Sequence, residues 1–161
     1  HMRKLHLADG FSAHVCVLRP ASRGSVTLVS TNPSVAPAID MGFLSDPRDL
    51  QSLLAGARLT ETMLQSPELA PWRGQRLYPH DGSDAGLQEA IRAHADTIYH
   101  PVGTCRMGSD RDAVTSPDLR VRGVQNLRVV DASVMPRLIG GNTNAPTIML
   151  AERAADLISH G

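Results

Sequence analysis

The apolar positions along this 161-residue chain change their period several times, and each change predicts an element. His14-Val15-Cys16-Val17-Leu18 is a short, β-branched run. It stops at Arg19-Pro20, because proline has no N–H to give to a ladder. Ser22-Arg23-Gly24 reads as a turn. In Ser25-Val26-Thr27-Leu28-Val29, Val26 and Leu28 share one face while Ser25, Thr27 and Val29 share the other. The pattern predicts a half-buried antiparallel hairpin of 14–18 with 25–29. Residues 32–45 carry Pro33, Pro37 and Gly42 and predict an irregular connection, with a short extended piece near Ala38–Asp40.

The period then becomes helical. Asp46 suits a cap and Pro47 the first helical position. Leu50, Leu53, Leu54, Ala57 and Leu64 follow as an apolar stripe, ended by Pro67 and Pro71. Residues 67–83 read as a loop. A second helix is predicted from Asp84 to Ala95, with Leu87, Ala90, Ile91 and His94 on one face. From residue 99 the period disappears, as in loops that line sites. Two strand-like pieces, 119–121 and 127–131, precede the turn-rich run Gly140-Gly141-Asn142-Thr143-Asn144. A last helix is predicted from Ala145 to Ser159, burying Ile148, Ala151, Ala155 and Ile158. Strands and helices in this order give a mixed α+β fold.

Composition narrows the classes of partner. Apolar residues make up 42% and charged residues 20%, ordinary for a globular chain. Lys plus Arg and Asp plus Glu are 16 each, so there is no basic excess for nucleic acid or for an anionic membrane surface. No apolar run approaches the ~20 residues that span a bilayer. Cys16 and Cys105 are too few for a disulfide framework. The opening His1-Met2 reads as a cloning remnant, so residue 3 is expected to lie inside a longer natural polypeptide.

Several chemistries have no motif here. There is no G-x-G-x-x-G, Walker loop, G-x-S-x-G elbow, C-x-x-C or H-E-x-x-H. His94, His100 and Cys105 are close in sequence but do not make the three or four ligands of a metal site, so no metal is expected. His100 lies in an apolar, glycine-containing loop and suits a base at neutral pH, or a purely structural role. Asn142-Thr143-Asn144 serves either as a turn in which Asn144 caps the last helix, or as a helix N-terminus offering N–H groups to an anion. Asp131, at the end of an apolar run, either accepts from a ligand hydroxyl or caps the next turn.

Together these pieces are more specific. Tyr99-His100-Pro101-Val102-Gly103-Thr104-Cys105-Arg106-Met107-Gly108 resembles the histidine-bearing signature of the glucose–methanol–choline (GMC) oxidoreductases. Leu119–Val124 and Asn126–Pro136 are similar to the segment that follows it in that family. Gly141-Asn142-Thr143-Asn144-Ala145-Pro146-Thr147-Ile148-Met149, continuing through Asp156, looks like the family's closing helix. Leu18–Val26 looks like the strand pair that opens its C-terminal half. The four motifs occur in the family's order and lean toward the choline-dehydrogenase-like branch.

The resemblance implies FAD-dependent oxidation of a small primary alcohol, choline-like or other, to an aldehyde. His100 matches the catalytic base, and Asn142 the second position on the substrate oxygen. Asp131 and Ala132 match positions near the FAD phosphate–ribitol region. Thr143 and Asn144 match backbone at the flavin pyrimidine edge. The implied architecture is an antiparallel substrate-domain sheet with helices on one face, plus a C-terminal strand and helix that complete a Rossmann-like FAD domain. Residues 3–98 would belong to the substrate domain, and 99–161 to the catalytic segment and the return to the FAD domain.

The family's N-terminal FAD-binding half is absent, so the chain alone is expected to be inactive and not to bind FAD. Its implied partners are the alcohol, the missing half and, through the exposed interface, a second copy. Two departures stand out: Val114-Thr115-Ser116 precedes Pro117 where the family usually has Asp, and 72–84 is short. The alternatives are a non-catalytic binding module of this descent, or one chain of a two-chain flavoenzyme. The expected location is the cytoplasm, with peripheral membrane association as the other possibility.

Overall fold

A computed structural model describes residues 10–160. The chain divides into two compact units. The first takes residues 10–17 and Pro47–Ala95; the second takes residues 18–46 and 96–160.

In the first unit, helix α1 spans Pro47–Leu64 and starts on its proline, as predicted. Asp49 in its first turn and Leu50 are buried. Helix α2 spans Asp84–His94 and packs against α1 with Leu87 buried. Ser83 caps it, its hydroxyl oxygen accepting from the Gly86 N–H at 3.0 Å. Arg58 of α1 reaches the first residue of α2, with NH2 2.6 Å and Nε 3.0 Å from Asp84 Oδ1.

The segment between the helices is more ordered than its prolines suggest. Pro67–Trp72 is a 3-10 turn. Beyond it, His80 joins a cluster with Glu61. The Gly82 N–H donates to His80 Nδ1 at 3.1 Å, so in the neutral ring Nε2 carries the proton. Nε2 then donates to Glu61 Oε1 at 2.6 Å, and Arg76 lies 3.0 Å from the same oxygen. Partial burial pushes the Glu61 carboxyl up. The hydrogen bonds from His80 and Arg76 and the positive charge beside it outweigh this and hold Glu61 below its ordinary value.

The second unit holds a two-stranded sheet. Strand β1 (Ser25–Thr27) pairs antiparallel with strand β2 (Ala38–Asp40), Val26 opposite Ile39. The expected partner of 25–29, residues 14–18, forms no strand and lies in the other unit but for Leu18. Glycine explains the choice. A Cβ on Gly24 would collide with the Asp40 carbonyl oxygen, so only glycine lets the 40–41 backbone come so close. Gly42, at φ +59°, closes the same approach from the other side. The hairpin is not half-buried either: every residue of both strands is exposed, with Leu28 just beyond at 89%.

The core of this unit is Leu119, Val134 and Ala154, with Met107, Val129, Val130 and Leu150 packed against it. The pieces expected as strands do pair, Val121 N–H to Leu127 O at 2.9 Å and Val129 N–H to Leu119 O at 3.1 Å. They remain isolated bridges because Leu119 (φ 68°) and Asn126 (φ 57°) are left-handed and interrupt the extended backbone.

Helix α3 spans Asn144–Ser159. Ala154 and, in part, Leu150 and Leu157 face inward. The expected stripe is corrected: Ile148, Ala151, Ala155 and Ile158 are exposed. Two apolar stripes adjoin on this helix, and only the one that meets Val134 and Leu119 is covered. The fold is mixed α+β. Among the described residues no helix is long and apolar enough to cross a membrane.

Candidate active site

The site is built on three loops of the second unit. Residues 103–107 are tied to the 3-10 turn Ala132–Val134: the Cys105 N–H donates to Ser133 O at 3.0 Å, and the Met107 N–H to Val134 O at 2.8 Å. Thr115, fully buried, donates its hydroxyl to Cys105 O at 3.2 Å. Asp131 caps this turn, its Oδ1 accepting from the Ser133 N–H at 2.8 Å and from the Ser133 hydroxyl. Of its two readings, the structural one is thus filled. Ala132 heads the same turn and is half-buried.

Arg106 stiffens the loop further on. Its guanidinium forks onto Asp110, NH1 to Oδ2 at 2.9 Å and NH2 to Oδ1 at 2.7 Å. That hydrogen-bonded charge holds the Asp110 carboxyl far below the usual carboxylate range.

His100 stands at the head of this loop, half-buried, after Tyr99 in the left-handed region at φ 65°. A bulky residue is costly there, and such positions persist only where the surroundings impose them. The fold brings His100 against the start of α3 in space, 42 positions on in sequence: Nε2 lies 3.1 Å from Asn142 Oδ1. On the other side of the ring, Nδ1 lies 3.0 Å from Thr143 Oγ1. Both nitrogens are therefore engaged by consecutive residues.

Thr143 itself is buried, 9% exposed, and takes the N-cap position expected of Asn144. Asn144 is instead the first helical residue and is exposed. The cap makes no side-chain hydrogen bond to the helix. Thr147 secures it, donating both its N–H (3.0 Å) and its hydroxyl (2.7 Å) to Thr143 O.

Hydrogen bonds thus join His100, Asn142 and Thr143, while Asp131 and Ala132 belong to the turn whose Ser133 and Val134 carbonyls hold the loop after His100. The bond from the Thr143 side chain escapes a reading of the sequence that assigns this residue by its backbone. Pro146, two residues beyond Asn144, is the available signal, because it removes an N–H that a capping hydroxyl would otherwise hold. Among the described residues no three His, Cys, Asp or Glu side chains converge as a metal site. Cys16 and Cys105 are both free thiols.

This combination of a loop histidine and a helix-start asparagine coincides with a family match over most of the chain. The family model for GMC oxidoreductase matches residues 20–151, and the chain belongs to that family, as a C-terminal portion. It is 48% identical over 160 residues to an alcohol dehydrogenase (acceptor) of Pseudomonas putida, covering 98% of this chain and 29% of that protein. To an oxygen-dependent choline dehydrogenase of Pseudomonas syringae pv. tomato it is 46% identical over 151 residues, 92% of this chain and 27% of that one. Among solved structures, pyridoxine 4-oxidase from Mesorbium loti superposes with a TM-score of 0.84 at 36% identity, over 89% of this chain and 28% of the other. The chain therefore spans less than a third of the length of these relatives.

Proposed function

We propose that this chain is the catalytic C-terminal portion of an FAD-dependent alcohol dehydrogenase that oxidises a small primary alcohol, choline-like or other, to an aldehyde. The observation that carries the reading is the 3.1 Å contact of His100 Nε2 with Asn142 Oδ1, two side chains that a single substrate hydroxyl could bridge. The sequence likeness to choline and alcohol dehydrogenases supports the substrate class.

The residues present fit part of the cofactor. The first turn of α3 has no side-chain cap, which leaves its N–H donors to a ligand rich in acceptors, such as a flavin pyrimidine edge. Thr143 and Asn144 would hold that edge, and Asp131 and Ala132 would lie by the phosphate–ribitol region. Nothing in the sequence offers a glycine-rich loop for the ADP portion, which a separate flavin-binding portion would hold. That portion would also cover apolar side chains such as Leu28 and Ile39, exposed at 89% and 63%.

FAD, when bound, supplies the acceptor for hydride from the alcohol carbon. His100 takes the hydroxyl proton at Nε2, and the Asn142 amide holds the substrate oxygen as its charge grows. A positioned base contributes about 10²–10⁴ in rate. The test is His100→Ala in the flavin-loaded, full-length polypeptide. The expected result is a fall in kcat of about 10²-fold or more with flavin absorbance retained. Turnover within twofold of the parent would remove His100 from the mechanism.

A further inference from the structure

We infer that Thr143 is a positioning residue for His100: its hydroxyl, bonded to Nδ1, fixes the plane of the imidazole and leaves Nε2 as the nitrogen presented to substrate. This rests on His100 acting as the base.

The geometry frees the hydroxyl for this task. An N-cap threonine ordinarily turns its oxygen to the N–H of the second or third helical residue, from an extended backbone. Thr143 is in the right-handed helical region instead, at φ −83° and ψ −9°. The third residue of α3 is Pro146, which has no N–H. The hydroxyl makes no cap bond and lies 3.0 Å from His100 Nδ1. Burial of Thr143 and the two bonds from Thr147 to its carbonyl fix where that hydroxyl sits.

Proton inventory shows why a hydroxyl suits this place. With Asn142 Oδ1 facing Nε2, the neutral ring carries its proton on Nε2 and Thr143 donates to Nδ1. When Nε2 is to accept a proton, the ring proton must sit on Nδ1. The substrate hydroxyl then faces Nε2, the NH2 of Asn142 donates to the substrate oxygen, and the hydroxyl of Thr143 rotates to accept from Nδ1–H. Once Nε2 has taken the substrate proton, both ring N–H groups donate, one to Thr143 Oγ1 and one to Asn142 Oδ1. A hydroxyl serves all three states without moving its oxygen. A methyl group serves none.

Two readouts test this. In the isolated 161-residue chain, nitrogen-15 shifts of the His100 ring report the bond at Nδ1. Thr143→Val should move the Nδ1 resonance to that of an unbonded nitrogen, and Thr143→Ser should restore it. In the flavin-loaded, full-length polypeptide, Thr143→Val should lower kcat about 3–10-fold with little change in KM, again rescued by Ser. An unmoved Nδ1 resonance, or a kcat that Ser does not rescue, overturns the proposal. If Thr143→Val disturbs folding, Thr143→Ala against Thr143→Ser makes the same comparison. The base reading fails separately: it falls if His100→Ala keeps its turnover, whatever the Thr143 variants do.

Discussion

His100 and Asn142 meet at 3.1 Å although 42 residues separate them, the first on an irregular loop and the second just ahead of α3. Neither sits on a regular element. Their meeting depends on the 103–107 loop being tied to the Ala132–Val134 turn, and on α3 packing over Leu119 and Val134 through Ala154. The site is therefore only as well ordered as that small core.

Asn142→Ala removes the amide that would hold the substrate oxygen while leaving the imidazole bonded to Thr143. In the flavin-loaded, full-length polypeptide, kcat should fall by about 10²-fold, the usual effect of losing one donor to a developing oxyanion. Steady-state kinetics with a small primary alcohol check it.

Val134→Ala tests the core beneath the site. Val134 is completely buried, so losing two methyl groups and leaving a cavity should cost about 1–3 kcal/mol. Chemical denaturation of the second unit should show the loss. Amide protection at Cys105 and Met107, whose N–H groups bond to this turn, should fall with it.

Gly24→Ala places a methyl group where the Asp40 carbonyl oxygen lies. The β1–β2 pairing should open, losing the amide protection of the Val26–Ile39 pair in hydrogen exchange. The first unit, which contains neither strand, should keep its helical circular dichroism.

The Glu61–His80–Arg76 cluster predicts an acid-side loss of stability. The folded-state pKa of Glu61 lies below the ordinary 4.5. Its contribution is thus full above about pH 4.5 and is lost as the pH falls toward the folded value. Glu61→Gln should be less stable than the parent near neutrality. It should also lose less on going from pH 5 to pH 3, because the variant has no such proton to take up. Thermal melts across that range decide it, and parallel slopes would rule out the cluster as the cause.

The helices were the legible part of the fold. Asp46-Pro47 placed the start of α1, because caps and first-turn prolines act within a few residues, and the helical spacing of apolar residues from Asp84 placed α2. The strands were not. Nothing in Ser25–Val29 says that its partner is 38–40 rather than 14–18. That choice depends on a backbone approach that only Gly24 allows. The inward face of α3 was equally hidden, since its two apolar stripes differ only in what each one meets.

At the site, local pattern alone left His100, Asn142 and Asp131 each with two roles. Residue types and their order were fixed along the chain: a loop histidine, an asparagine ahead of a helix, and Pro146 in that helix's first turn. Tertiary packing decided that the histidine ring stands between Asn142 and Thr143, and that Asp131 caps the turn holding its loop. Hydrogen bonds reach about 3 Å, so a partner 42 residues away becomes a partner only when the core brings the two segments together.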